Sequence, residues 1–67
     1  MEIKINTPFI KLDQLLKFSG MVSTGGEAKE VILSGLVKVN GEACLMRGKK
    51  IYPGDEVSFN DESCKVI

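Results

Sequence analysis

Apolar residues first alternate with polar ones. Ile3 and Ile5 fall between Glu2, Lys4 and Asn6, the period-2 pattern of a half-buried strand over residues 2–6. The period then lengthens. Phe9, Leu12, Leu15 and Leu16 recur at helical spacing and form one apolar stripe. Thr7-Pro8 stands before them, an N-cap residue followed by one whose missing N–H costs nothing in a first helical turn. Gly20 suits the left-handed residue that closes a helix. A first helix is predicted from Pro8 to Ser19. A second is predicted after Met21-Val22. Thr24 with Glu27 three residues on matches a capping box, Ala28, Val31, Ile32 and Leu36 supply the buried stripe, and Gly35 ends the helix.

Beyond Gly35 the pattern returns to strands. Val37 and Val39 point inward with Lys38 outward, and Asn40-Gly41 is a strong two-residue hairpin signal. Residues 42–46 are predicted to return as the partner strand. Arg47-Gly48-Lys49-Lys50 reads as a basic loop and Pro53-Gly54-Asp55 as a turn. Val57 and Phe59 make another strand, Asn60-Asp61 turns the chain, and Cys64, Val66 and Ile67 close the sheet. The fold class is α+β: a two-helix motif packed against a small, mostly antiparallel β-sheet with hairpins. Phe9 and Phe59 are expected in the core.

Sixty-seven residues make a single domain, 1–67, with a thin core. The hydrophobic fraction of 43% and charged fraction of 27% fit a folded chain. No apolar run is long enough for a membrane span. The start MEIKINTPF lacks the basic and apolar segments of a secretory signal, so a cytoplasmic location is expected. Cys44 and Cys64 are the only cysteines and histidine is absent. This pattern favours buried thiols over a metal site, and it removes the common general base and the Ser-His and Cys-His pairs. No cofactor, metal or catalytic role is expected.

Net charge is zero, yet the charge is segregated. Residues 11–50 carry seven cations and four acids, whereas the rest carries two cations and five acids. A local basic face attracts an anionic polymer even on a neutral molecule. Lys11, Gln14 and Lys17 lie one turn apart, off the leucine stripe. Lys29 lies off the stripe of the second helix, close to Ser23-Thr24-Gly25-Gly26. Hydroxyls and backbone N–H groups bared by glycine can position a phosphate there while lysines supply charge. Arg47, Lys49 and Lys50 extend the basic surface. An ordinary solvated face remains the alternative for each of these cations. Asp13, beside Lys11 and Lys17 in sequence, is expected to orient a lysine or to hydrogen-bond the second helix start. Aromatics are few, which favours recognition of folded RNA by shape and backbone over single-strand stacking; Tyr52, beside the basic loop, is the one candidate for stacking on a base.

The strings KLDQLL, STGGEAKEVILSGLVKVNGE and YPGDEV resemble the small RNA-binding domain first known from ribosomal protein S-four. Lys11-Leu12-Asp13 with Leu16, Ser23-Thr24, Ala28 with Ile32, the run from Gly35 to Gly41, and Gly54-Asp55 fall in that family's order and spacing, with a core motif over residues 11–56. The short length and Gly25-Gly26-Glu27-Ala28-Lys29 are most similar to short bacterial members of the YaaA/YbcJ type. The resemblance implies an alpha-L motif, two helices and a hairpin, that binds structured RNA without catalysis. Its matched surface is Lys11, Asp13, Ser23, Thr24, Lys29, Lys38 and Asn40. The family's usual leading Arg is Lys11 here, which keeps charge without the bidentate fork, and Gly25-Gly26 replaces a Ser-Arg pair.

The expected partner is structured RNA, ribosomal or transfer RNA, with association to a ribosomal subunit, and the chain is expected to act as a monomer. The alternative is a small protein–protein interaction adaptor with a weakened RNA face, which zero net charge and the missing Arg favour.

Overall fold

A computed structural model describes Met1 to Ile67. Seven short strands and two helices follow in the order β1 (Glu2–Ile3), β2 (Ile10–Lys11), α1 (Leu12–Phe18), α2 (Gly25–Leu33), β3 (Val37–Val39), β4 (Glu42–Ala43), β5 (Lys50–Ile51), β6 (Glu56–Phe59) and β7 (Glu62–Val66). One sheet runs β1-β7-β6-β3-β4, and β2 with β5 forms a separate two-stranded ribbon. Only β1 and β7 are parallel; the other pairs are antiparallel.

The turns follow from their residues. Asn40 and Gly41 both have positive φ, 51° and 86°, as a type I′ turn requires, and Val39 pairs with Glu42 across it. Asn60 and Asp61 do the same, with φ of 54° and 66°, between Phe59 and its partner Glu62. At Pro53-Gly54 the Asp55 N–H donates to the Tyr52 carbonyl at 2.9 Å. Gly54 there has φ of 99°, which marks a type II turn.

One core unites these pieces. Leu12, Leu15 and Leu16 of α1 and Ala28 and Ile32 of α2 pack with Val37, Val39, Val57, Cys64 and Val66 on one face of the sheet, and Val22 and Ile51 join the same cluster. No polar or charged side chain is buried. Val31 and Phe59 are half-buried at the rim, and Leu36 is exposed. Alternation puts Lys38 on the outer sheet face, away from the helices.

The first helix begins four residues later than its predicted start. Thr7 caps nothing: its hydroxyl donates to the Phe9 carbonyl at 2.9 Å. Ile10 and Lys11 instead pair with Ile51 and Lys50. The N–H groups that lack intrahelical partners at the start of α1 then find carbonyls across the chain. Leu12 donates to Lys49 at 2.9 Å and Asp13 to Arg47 at 3.1 Å. A loop distant in sequence thus replaces a capping side chain, which Lys11 does not provide. The partner strand predicted over 42–46 shrinks to Glu42–Ala43. The first strand, predicted over residues 2–6, is regular only at Glu2–Ile3, and Ile5 still donates its N–H to the Ile67 carbonyl at 3.0 Å.

Candidate nucleic-acid interface

The β2–β5 ribbon sets the geometry. Lys11 and Lys50 are direct cross-strand partners, so both side chains stand on the same, exposed face of the ribbon. Phe9 and Tyr52 extend that face by one step along each strand. Their ring centroids lie 5.9 Å apart at a 50° tilt. The Lys50 ammonium sits 4.9 Å from the Phe9 centroid, a cation–π contact worth about 0.5–1 kcal/mol at an exposed site. Two like charges directly opposed on a ribbon are unfavourable, and the Phe9 ring offsets part of that by drawing Lys50 to itself. Phe9 is therefore half-buried under a lysine and a tyrosine rather than placed in the core.

Arg47 and Lys49 are held beside this ribbon by the bonds from their carbonyls to the start of α1. Folding thereby brings the backbone of Lys11 beside the segment that carries Arg47, Lys49 and Lys50, with Lys49 also lining a groove that contains Glu42. All four cationic side chains are exposed. None of the nine lysines and arginines of the chain has its side chain in the hydrogen-bond network, which runs instead through Asn40, Asp55, Thr24, Glu27 and the backbone.

The remaining candidates divide among other places. At the start of α2, Thr24 Oγ1 accepts from Glu27 N–H at 3.1 Å, and Glu27 Oε1 accepts from Ser23 N–H at 2.7 Å. The capping box is present, with the Glu reaching one residue further back than its usual partner. Ser23, Thr24, Gly25, Gly26 and Lys29 are all exposed there. Neither glycine has positive φ, and a Cβ on either would meet nothing closer than Thr24 Oγ1 at 4.0 Å, from Gly26. Backbone geometry therefore does not require glycine at these two positions.

Lys17 lines an open groove of about 450 Å³ in company with Lys4. Lys38 stands apart from all of these. It lies on the outer sheet face, in a concavity that also contains Asp61 and Glu62. Asp13 neither orients a lysine nor reaches the second helix; its Oδ1 accepts from Gln14 N–H at 2.8 Å, completing the hydrogen bonding of the first turn of α1.

Asn40 is committed to structure. Its Nδ2 donates to Asp55 Oδ1 at 3.1 Å and its Oδ1 accepts from Glu56 N–H at 2.9 Å. Asp55 Oδ2 in turn accepts from Tyr52 N–H at 2.8 Å. The Asn-Gly hairpin and the Pro-Gly-Asp turn are thus clamped together by two side chains. Lys4 and Phe18 carried no expectation from sequence. Phe18 is 67% exposed, and its position off the Leu12, Leu15 and Leu16 stripe is the sequence signal that marks it.

A helix pair on a small twisted sheet, with a basic loop tied to the start of the first helix, defines a compact α+β module of the alpha-L kind. The chain belongs to the S4 domain family, whose model matches residues 3–67. It is 42% identical over 57 residues to RlbA of Bacillus subtilis (strain 168), named as a probable ribosome maturation protein, covering 85% of this chain and 80% of RlbA. It is 38% identical over 60 residues to YbcJ of Escherichia coli (strain K12), covering 90% of this chain and 86% of YbcJ. The solution structure of E. coli YbcJ, described as revealing an alfaL motif involved in RNA-binding, superposes with a TM-score of 0.76 and 34% identity. The match covers 98% of this chain and 85% of that one.

Proposed function

We propose that the chain is a non-catalytic RNA-binding module that holds structured RNA, ribosomal or transfer RNA, by its phosphates, and that it acts as a monomer on a ribosomal subunit or its precursor. The observation that carries this reading is the meeting of Lys11 with Arg47, Lys49 and Lys50 at the ribbon and the start of α1. Opposed lysines do not help the fold, so a polyanion is the ligand that rewards them. The α2 start, with Ser23, Thr24, the glycine N–H groups and Lys29, supplies a second phosphate contact. RNA binding in YbcJ and ribosome maturation in RlbA, as those proteins are named and described, support the same class of ligand and setting.

The test is a titration of fluorescently labelled hairpin RNA at several salt concentrations. Affinity is expected to fall steeply with salt, by about one power of concentration for each phosphate neutralised. Lys11→Ala and Lys49→Ala are each expected to lower the slope by about one and to weaken unrelated RNAs by similar factors. Affinity indifferent to both salt and these substitutions contradicts the reading.

A second reading, a protein-interaction adaptor, is favoured by one feature. Leu45 and Met46 are 57% and 68% exposed, one residue beyond the end of β4, which is an open edge of the sheet.

A further inference from the structure

The groove that contains Lys17 is built differently from the ribbon face. Its walls come from the segment between β1 and β2 and from the outer side of α1. Its lining includes apolar Ile5 and Ile10, the aromatic Phe18, the primary amides of Asn6 and Gln14, and the ammonium groups of Lys4 and Lys17. No acidic residue lines it. The volume of about 450 Å³ lies within the range of small-ligand sites, about 300–1,000 Å³.

We propose that this groove takes one unpaired nucleotide, a bulged or looped-out residue of the bound RNA. The proposal rests on the RNA-binding reading above and specifies which feature of the RNA is read. Phe18 supplies a face for the base, a contact open to every base because each has a π-face. The Asn6 and Gln14 amides each carry a donor and an acceptor suited to a base edge. Lys4 and Lys17 meet the flanking phosphates as point charges. A paired base cannot enter, because its faces are covered by stacking and its edge is occupied. Sequence-specific contact with RNA ordinarily falls on such unstacked bases. The ribbon face then holds the backbone, and the groove decides where along the RNA the protein sits.

The experiment uses two hairpin RNAs closed by the same polyethylene-glycol linker, with no loop nucleotides, that differ by one bulged adenosine, titrated against the full chain and against Phe18→Ala. Phe18 is too exposed for its loss to unfold the chain. The full chain is expected to bind the bulged hairpin roughly five- to tenfold tighter than the paired one. Phe18→Ala is expected to erase that preference while leaving paired-hairpin affinity within about twofold. Magnetisation transfer from the Phe18 ring to the adenosine base protons is expected in the bulged complex. Equal affinity for the two hairpins, with no such transfer, overturns the groove proposal and leaves the phosphate-binding reading standing. Binding to neither hairpin overturns both. Perturbation of Phe18 and Lys4 by a polyglutamate peptide, but not by bulged RNA, assigns the groove to an acidic protein segment and also overturns it.

Discussion

Single residues carry more of this fold than their number suggests. Asn40 occupies a left-handed conformation, with φ of 51°, and joins two turns through its amide. Asn40→Ala removes both bonds and adds backbone strain, so a loss of about 2 kcal/mol is expected. In a chain this short that lowers the melting temperature by roughly 8–16 °C, readable by circular dichroism. The Asn-Gly pair announces a turn in the sequence, but nothing local shows that its amide is spent on Asp55, fifteen residues away. Cys64 behaves differently. It is fully buried, and desolvation pushes its thiol above the ordinary value of 9.0, with the nearby N-terminal ammonium opposing the shift more weakly. The folded state therefore favours the protonated thiol. The stability this provides is complete below pH 9.0 and is lost as pH rises through the raised value. Denaturation midpoints are expected to fall above that pH in the parent, and to fall less in Cys64→Ala once its lower baseline is subtracted. Under native conditions a thiol reagent is expected to label half-buried Cys44 before Cys64.

Elements separate what was legible in sequence from what was not. The α2 start, the two type I′ hairpins and the Pro-Gly turn are written in neighbouring residues, and each lies where local chemistry predicts. The start of α1 is not, because its cap is made by carbonyls of Lys49 and Arg47 and its preceding residues are claimed by β5. Tertiary pairing there overrides the Thr-Pro signal. Two substitutions at this scale distinguish fold from function. Gly25→Ala and Gly26→Ala meet open space in ordinary backbone geometry, so each is expected to raise stability by up to about 1 kcal/mol. If their bared N–H groups serve phosphate, the same changes weaken RNA binding, and a denaturation curve beside a binding curve shows the two effects with opposite signs. Lys11→Glu makes the same separation at the ribbon. It converts an opposed pair into an attractive one, for a gain of about 0.2–1 kcal/mol, and it is expected to reduce RNA affinity sharply.

At the scale of the molecule, the segregation of charge along the chain foreshadows the arrangement only in part. Lys11 and the Arg47–Lys50 loop converge because β2 pairs with β5, a contact that no local pattern specifies. Lys38 belongs to the basic window by sequence but faces away from the helices, since strand alternation with Val37 and Val39 in the core leaves it no other side. Lys17 shares its groove with Lys4, which lies outside that window. Zero net charge therefore coexists with a cation-rich surface at the β2–β5 ribbon. Amide chemical-shift mapping with an unlabelled, fully paired RNA duplex tests that surface most directly. Perturbations are expected to cluster at residues 10–13, 23–29 and 47–51 and to fade as salt is added. Shifts confined to Lys38 and residues 60–63, or to the β4 edge at Leu45 and Met46, or no shifts at all, would contradict it.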